Sequence, residues 1–177
     1  MSKFLALVLR HDPARIGLEL DGDGWADIDD LLLRARQHGM TMTEPDLRHI
    51  VATNSKQRFV LDDARRRIRA NQGHSIAVDL GLQPLDPPDR LFHGTAHRTV
   101  AAIERAGLLP MQRQHVHLSA DAATARVVGA RHGAPVVFVV NALRMNTDGH
   151  AFFRSANGVW LVAEVPAIYL ARLEDSA

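Results

Sequence analysis

From Arg113 to Ser119, in the run RQHVHLS, polar side chains occupy every second position. Successive side chains of a β-strand point to opposite faces, so Arg113, His115, His117 and Ser119 would share one face of a strand. A guanidinium presents paired donors that match phosphate oxygens, and an imidazole transfers protons or binds metals near neutral pH. This row is therefore the first candidate for a functional site.

Zinc binding is one chemistry open to the two histidines of this row. His115 and His117 would supply half of a site, completed by His93 or Asp121. The sequence contains no cysteine and offers neither a glutamate-containing helical zinc motif nor a carboxylate cluster. Nothing fixes a third ligand, so we predict that no metal binds.

Four other polar groups could do chemistry. Arg10 and His11 close the apolar run KFLALVLRH, and Arg58 lies in KQRFVLD; taken alone, each is better explained by exposure to solvent. Residues 72–75, QGHS, form a polar run whose glycine lets the backbone approach a ligand. Residues 93–95, HGT, have the same character at the end of a predicted strand.

Several familiar sites are absent from the sequence. It has no Walker A pattern, no GxGxxG and no GxSxG, which excludes the usual phosphate loops, Rossmann dinucleotide sites and serine hydrolase elbows. The formal net charge of +1 gives no overall electrostatic argument for nucleic acid. Of the 21 basic residues only Lys3 and Lys56 are lysine, and a few of the arginines are candidates for phosphate binding.

The length of 177 residues, 46% of them hydrophobic, is typical of one ordinary globular domain or two small ones. No apolar run is long enough to cross a bilayer, and the N-terminus MSKFLALVLRHD lacks a secretory cleavage site. We therefore expect a cytoplasmic protein without a membrane partner. The proline-rich run GLQPLDPPDR, residues 81–90, predicts a linker between a unit at 1–80 and a unit at 91–177.

The first unit reads as helices followed by a hairpin. KFLALVLRH predicts a buried helix, and the alternation of Ile16, Leu18 and Leu20 predicts a strand. Asp27 and Thr43 are predicted to cap two further helices, and KQRFVLD and RRIRANQ to form a hairpin. This order is typical of a winged-helix module.

The second unit is predicted to be mixed, with strands dominating. LFHGT, RQHVHLS, PVVFVVNAL, NGVWLVAEV and AIYLARL read as strands, while TVAAIERAGL and ADAATARVVGARHG read as helices, the first of them ending at Gly107. The fold class predicted for the whole chain is therefore α+β.

Seven runs together carry a resemblance to a known family: LRHDP, GWADIDDLL, KQRF, IRANQGHS, LFHGT, RQHVHLS and DGHAFFRSANGVWL. In this order they resemble the RNA 2'-phosphotransferase family of the KptA type, and the similarity extends from about Phe4 to about Leu170. The resemblance implies an N-terminal winged-helix lobe and a C-terminal ADP-ribosyltransferase-like lobe. Both agree with the division predicted from the linker.

The resemblance also implies a reaction that consumes NAD. An internal RNA 2'-phosphate, such as one at a tRNA splice junction, attacks the nicotinamide-bearing ribose carbon and forms RNA 2'-phospho-ADP-ribose with release of nicotinamide. The adjacent ribose hydroxyl then attacks phosphorus, which gives 2'-hydroxyl RNA and ADP-ribose 1'',2''-cyclic phosphate. The implied partners are a 2'-phosphorylated RNA, with tRNA the expected form, and NAD; we expect a monomer.

Site residues follow from the resemblance position by position. The implied catalytic set is Arg10, His11, Arg58 and Arg113, in which the arginines bind the phosphate and His11 acts as an acid, a base or an anchor. The implied NAD-binding residues are His93, Gly94, Thr95, His117, Ser119, Gly129, Arg131 and Gly133. His74 and Ser75 are expected to touch the RNA phosphate or to support Arg10, and His115 to serve packing or contact.

Two alternatives belong to other classes of function. An ADP-ribosyltransferase acting on terminal phosphates of nucleic acid would use the same residues and stop after the first step. A winged-helix regulator would read duplex DNA with its second capped helix, where Arg48 and His49 are the only evident candidates for contact. Two such residues are few for strong binding to the phosphate backbone.

Overall fold

In the computed structural model, residues 1–174 are described, and the chain divides into two compact units, Met1–Gly81 and Leu82–Ala177. Both units combine helices with small antiparallel sheets. The mixture of helices and strands that the sequence predicts is thus confirmed. Among the described residues, no helix has the length and apolar character needed to cross a membrane.

The first unit has three α-helices and one three-stranded sheet within its described residues. The helices are α1 (Ser2–Arg10), α2 (Ile28–Gln37) and α3 (Glu44–Thr53), and the strands are β1 (Ala26–Asp27), β2 (Phe59–Asp62) and β3 (Arg67–Ala70). β3 lies in the centre of the sheet and pairs antiparallel with both neighbours. The predicted hairpin is therefore confirmed as β2 and β3.

Local capping explains where two of these helices begin. The Asp27 side chain accepts a hydrogen bond from the backbone N–H of Asp30, and Thr43 forms a reciprocal capping box with Asp46. Both predicted N-caps are confirmed. The helices pack their apolar faces into one core, whose fully buried members include Leu5, Leu9, Ile28, Leu31, Leu47 and Ile68.

The strand predicted at Ile16, Leu18 and Leu20 is wrong. A 3-10 helix spans Pro13–Ile16, started by the Asp12 side chain, and Gly17 ends it in the left-handed conformation at φ 66°. Ile16 and Leu18, on either side of Gly17, are both buried in the core. Their alternation in the sequence therefore reflects burial around a turn and not a strand.

The second unit has two three-stranded antiparallel sheets within its described residues. The strands are β4 (Arg90–Ala96), β5 (Val116–Leu118), β6 (Pro135–Asn141), β7 (Phe152–Arg154), β8 (Trp160–Val162) and β9 (Leu170–Arg172). β6 lies between β4 and β9, and β8 lies between β5 and β7. A bridge between Phe92 and Ser119 connects the first strand of each sheet.

The helices of this unit are α4 (Val100–Ala106), α5 (Ala122–Gly129) and α6 (Ala142–Thr147). α4 ends at Gly107 as predicted, and α5 continues into a 3-10 helix at Ala130–His132. The core is built from Leu91, Leu118, Val140, Met145 and Phe152, all at most 1% exposed. In the predicted connection, the N–H of Leu85 donates to the carbonyl of Phe152, which ties this part of it to the second unit.

Two predictions for the second unit need correction, and two of its elements were not predicted. The strand predicted for RQHVHLS begins only at Val116, because the chain turns between Pro110 and Arg113 and Met111 has a φ of 57°. AIYLARL begins with a 3-10 helix, Ala167–Tyr169, before β9. The sequence also left α6 and β7 unassigned as elements.

Candidate functional site

The C-terminal end of α1 carries the first two candidate residues. Leu5, Val8 and Leu9 are fully buried at a spacing of three and four, which fixes the apolar face of the helix against the core. Arg10 is the last helical residue and is half-buried, while His11 forms the C-cap and is exposed. A short, well-anchored helix therefore presents a guanidinium and an imidazole at its end.

Arg58 contacts Arg10 through its backbone carbonyl. It precedes β2, and the Arg10 Nη2 atom donates a hydrogen bond of 3.4 Å to its carbonyl oxygen. The Arg10 guanidinium also lies over the ring of Phe59, 5.9 Å from the ring centroid. α1 and the start of the hairpin are thus joined at the two arginines.

Ser75 holds both residues at the end of α1. Its backbone N–H donates to the carbonyl of Arg10 over 2.9 Å, and its Oγ lies 2.9 Å from Nδ1 of His11. This bond to Nδ1 fixes the ring orientation and leaves Nε2 as the outer nitrogen of the imidazole. A serine that orients a histidine is an arrangement suited to proton transfer.

His74 is buried, with 1% of its surface exposed, whereas the adjacent Ser75 is exposed. Burial, together with the positive charges of Arg10, His11 and Arg69, lowers the pKa of His74 from 6.5 to about 4. Neither ring nitrogen has a hydrogen-bond partner within the described part of the chain. The imidazole is therefore neutral at neutral pH and lies inside the unit, where it has almost no surface to offer a phosphate.

In the second unit, β4 and β5 bring two predicted segments side by side. The Nδ1 atom of His93 donates to the carbonyl oxygen of His117 over 3.1 Å, and Phe92 and Ser119 exchange backbone hydrogen bonds of 2.9 and 2.7 Å. Burial lowers the pKa of His93, and the charge of Arg113 lowers it slightly more, although the bond to His117 opposes both effects. His93 is then neutral, with Nε2 free to accept a hydrogen bond.

Arg113 contacts this pair from the turn before β5. Its Nη1 atom lies 2.6 Å from Nδ1 of His117. Because a guanidinium is always protonated, it is the donor, so Nδ1 of His117 accepts and the ring carries its proton on Nε2. Arg113 thus joins the group by its long side chain and not, as predicted, by alternation along a strand.

His115 takes no part in this hydrogen-bonded group. It lies before β5, and its ring packs edge-on against Phe153 with 5.9 Å between ring centroids. Burial lowers the pKa of His115. Of the two roles left open for it, packing is the one that the structure supports. No cluster of three metal-ligating side chains occurs among residues 1–174.

Gly94 and Gly129 lie where β4 and α5 approach closely. A Cβ at Gly94 would overlap the carbonyl oxygen of Ala125, and one at Gly129 would lie 2.7 Å from the carbonyl oxygen of Thr95. Both glycines are therefore required by the packing of strand on helix. Since side chains alternate along β4, His93 and Thr95 point away from α5.

The remaining predicted NAD-binding residues lie near the end of this strand. The Thr95 hydroxyl lies 2.6 Å from that of Thr99, which itself donates to the carbonyl of Ala96, so Thr95 is the donor in the pair. Gly133 follows the 3-10 helix, and a Cβ there would lie 3.6 Å from that of Ala96. Arg131 is exposed.

One residue of the first cluster was not predicted. Asn71 follows β3, is 9% exposed and bonds to the backbone of both Gln57 and Arg58. The predicted polar run begins one residue later, at Gln72. The signal that could have marked Asn71 is a polar side chain directly after the alternation of β3.

Comparison with known proteins gives a consistent result. A sequence profile of the family described as RNA 2'-phosphotransferase, Tpt1 / KptA family, matches residues 1–164. A protein of Hahella chejuensis named probable RNA 2'-phosphotransferase is 56% identical over 175 residues, which cover 99% of this chain and 94% of that protein.

Two further relatives carry the same name. One from Agrobacterium fabrum is 54% identical over 176 residues, covering 99% of this chain and 95% of its own length. One from Streptomyces coelicolor is 54% identical over 170 residues, covering 96% and 92%. The match along nearly the full length at this level of identity shows that the chain belongs to the RNA 2'-phosphotransferase, Tpt1 / KptA family.

Proposed function

We propose that this protein transfers an internal RNA 2'-phosphate to NAD, and that its products are 2'-hydroxyl RNA, ADP-ribose 1'',2''-cyclic phosphate and nicotinamide. The observation that carries the proposal is the group at the end of α1, where Ser75 orients His11 beside Arg10 and Arg10 binds the backbone of Arg58. Membership of the family supports it.

The first step depends more on the positioning of the phosphate than on proton transfer. A phosphate monoester has a second pKa near about 6 and already carries nearly two negative charges at neutral pH. Its oxygen forms a bond to the nicotinamide-bearing ribose carbon, and nicotinamide leaves with the electron pair of the glycosidic bond. In the first unit, Arg10 and Arg58 are the guanidinium groups proposed to bind and align this phosphate, and Arg113 is the guanidinium that the second unit contributes to the proposed catalytic set.

The second unit fits a dinucleotide by its set of donors and acceptors. His93 offers an acceptor at Nε2, His117 offers a donor at Nε2, and Ser119 offers a hydroxyl directly after β5. Ribose hydroxyls and a carboxamide both donate and accept, so they match such a set. We propose that these three residues bind the nicotinamide riboside part of NAD, and that Gly94, Thr95, Gly129, Arg131 and Gly133 border the rest.

The second step makes greater demands on charge and on proton transfer. The ribose hydroxyl forms a bond to phosphorus, its proton passes to a base, and the RNA 2'-oxygen leaves and takes up a proton. Charge accumulates on the phosphoryl oxygens, and fixed guanidinium groups stabilise it. His11, oriented by Ser75, is the proposed group for proton transfer to or from these oxygens.

The order of elements supports the finer assignment of fold. In the first unit, three helices precede an antiparallel hairpin whose inner strand also pairs with β1, which is the order of a winged-helix domain. In the second, two small antiparallel sheets carry His93 and His117 on neighbouring strands. We propose a winged-helix lobe and an ADP-ribosyltransferase-like lobe.

A DNA-binding regulator is less well supported. Arg48, one of the two candidate readers on α3, forms ion pairs of 2.8 Å with Glu44 and 2.6 Å with Asp63. A guanidinium engaged by two carboxylates has little charge to offer a phosphate backbone. We expect the substrate to be RNA, with a tRNA splice junction as the natural source of the 2'-phosphate, and the enzyme to be a monomer.

The test is incubation of the protein with NAD and a short RNA that bears one internal 2'-phosphate, with the products resolved by mass spectrometry. We expect 2'-hydroxyl RNA and cyclic-phosphate ADP-ribose, and no change in the same RNA without the 2'-phosphate. Accumulation of ADP-ribosylated RNA alone would instead favour an ADP-ribosyltransferase, which would then be assayed on terminal phosphates. No NAD-dependent change in either RNA would refute the proposal.

Variants assign the roles within the site. Arg58→Ala and Arg113→Ala are expected to lower kcat by about 100-fold or more, as loss of a group that stabilises transition-state charge does. The matched controls are Arg36→Ala in the first unit and Arg105→Ala in the second, both exposed, which should act like the wild type. Rates for Arg58→Ala and Arg113→Ala equal to those of the controls would remove these two residues from the mechanism.

A further inference from the structure

The backbone just before Arg58 has an unusual conformation. Gln57 has a φ of 42°, in the left-handed region that residues with a side chain seldom adopt. Such a residue persists only when its surroundings hold it, and conformations of this kind are concentrated at functional sites. Some contact must therefore stabilise the Gln57–Arg58 segment.

Asn71 supplies that contact with two hydrogen bonds. Its side-chain Nδ2 donates to the carbonyl of Gln57 over 2.5 Å, and its backbone N–H donates to the carbonyl of Arg58 over 2.9 Å. In the hairpin, Phe59 pairs with Ala70, so Asn71 lies opposite Arg58 and extends the pairing by one residue. Its side chain then reaches one residue further, to the strained position.

The chemistry of this contact calls for asparagine. A carbonyl oxygen accepts only, so its partner must be a donor, and a short amide provides one at this distance. Aspartate has nearly the same shape but would place a carboxylate against the carbonyl. Asn71 is 9% exposed, so it has little surface for a substrate, and its effect on the reaction must pass through the segment that it binds.

We propose that Asn71 is a positioning residue for Arg58: its side-chain amide holds the Gln57–Arg58 peptide so that the Arg58 guanidinium is presented to the RNA phosphate. The inference rests on the proposed function. It adds a residue that does not touch the substrate but determines where a phosphate-binding group lies.

The experiment measures 2'-phosphate removal by Asn71→Ala and Asn71→Asp, with RNA and NAD varied separately. We expect kcat/KM for RNA to fall by about 10- to 100-fold in both variants, the range typical of residues that orient a catalytic group. KM for NAD should stay within about twofold of the wild-type value, because the contact lies in the segment of Arg58. Asn146→Ala, which removes an amide bonded to Asp86, is the matched control and should act like the wild type.

A double-mutant cycle separates positioning from general damage to the fold. In an Arg58→Lys background, Asn71→Ala should cost less than about threefold, because the group that it positions has already been changed. Gln57→Gly should restore activity to Asn71→Ala at least about threefold, since glycine adopts a positive φ without support. Equal losses in both backgrounds, or wild-type rates for Asn71→Ala, would overturn the inference.

Folding is monitored on the same samples. Circular dichroism should show that Asn71→Asp, which keeps the volume of the side chain, is folded. Hydrogen exchange should be faster for the amides of residues 56–58, while those of the opposite turn, residues 63–66, stay unchanged. Unchanged exchange at 56–58 would also overturn the inference. An inactive wild-type protein would instead contradict the proposed function, so the two failures are distinguishable.

Discussion

Replacing His74 with leucine should change how the stability of the first unit depends on pH. His74 is 1% exposed, and burial together with the charges of Arg10, His11 and Arg69 lowers its pKa to about 4, against 6.5 for an unperturbed histidine. Below pH 6.5 the unfolded chain takes up a proton at this residue and the folded chain does not, so folding is opposed. The free energy of unfolding is therefore undiminished by this residue above pH 6.5, and it decreases as the pH falls from 6.5 towards 4.

The size of the effect follows from the two pKa values. Each pH unit of difference corresponds to about 1.4 kcal/mol, so the full loss is about 3 kcal/mol. Between pH 7 and pH 5 the loss from His74 alone is about 2 kcal/mol. Leucine does not titrate, so the difference in unfolding free energy between wild type and His74→Leu should shift by this amount, in the direction that favours the variant at pH 5.

The assay is urea unfolding at pH 7 and pH 5, followed by tryptophan fluorescence. The chain has two tryptophans, Trp25 in the first unit and Trp160 in the second, so a Trp160→Phe background restricts the signal to the first unit. Val8→Ala, in the same core, is a control whose cost comes from packing alone and should be equal at both pH values. A shift of less than about 0.5 kcal/mol for His74→Leu would refute the argument from burial.

Three further predictions concern packing, capping and proton transfer. Gly94→Ala should destabilise the second unit by about 3 kcal/mol or more, because the added Cβ overlaps a backbone oxygen of α5. The control is Gly22→Ala, whose added Cβ meets no atom within 4 Å and should have little effect; thermal unfolding measures both. Thr43→Ala should lower the free energy of unfolding by about 1 kcal/mol through loss of the α3 cap, and Thr53→Ala, at the other end of that helix, should not. Ser75→Ala should reduce kcat about 10-fold and change the pH–rate profile, since it frees the imidazole that Ser75 orients; an unchanged profile would contradict that role.

Local signals in the sequence predicted the elements well. Asp27 and Thr43 each accept a hydrogen bond from a backbone N–H three residues later, and Gly107 ends α4. These contacts depend on the nearest neighbours along the chain, so residue type and spacing are enough to find them. The hairpin of β2 and β3 was also predicted, from the runs KQRFVLD and RRIRANQ.

The geometry of the candidate site could be predicted only in part. The resemblance to the family identified Arg113 and His117, but the expected strand alternation does not exist at Arg113, and the 2.6 Å contact between their side chains follows from a turn. Asn71 was missed because its partners lie 14 residues back along the chain at Gln57 and nearby. Contacts between residues this far apart in the sequence depend on how strands pair, which composition and periodicity do not specify.

The bond between His11 and Ser75 has a consequence for biosynthesis. The two residues are 64 positions apart, so the imidazole is synthesised long before the serine that orients it. At typical elongation rates of about 5–20 residues per second, the ribosome takes several seconds to cover that distance. A nascent chain ending at Ala70 contains Arg10, His11 and Arg58 but has neither Asn71 nor Ser75. The hydrogen bonds that these two residues make can therefore form only after the segment beyond Ala70 has been synthesised. Premature termination there would yield a chain that contains Arg10, His11 and Arg58 but lacks the two residues that contact and orient them.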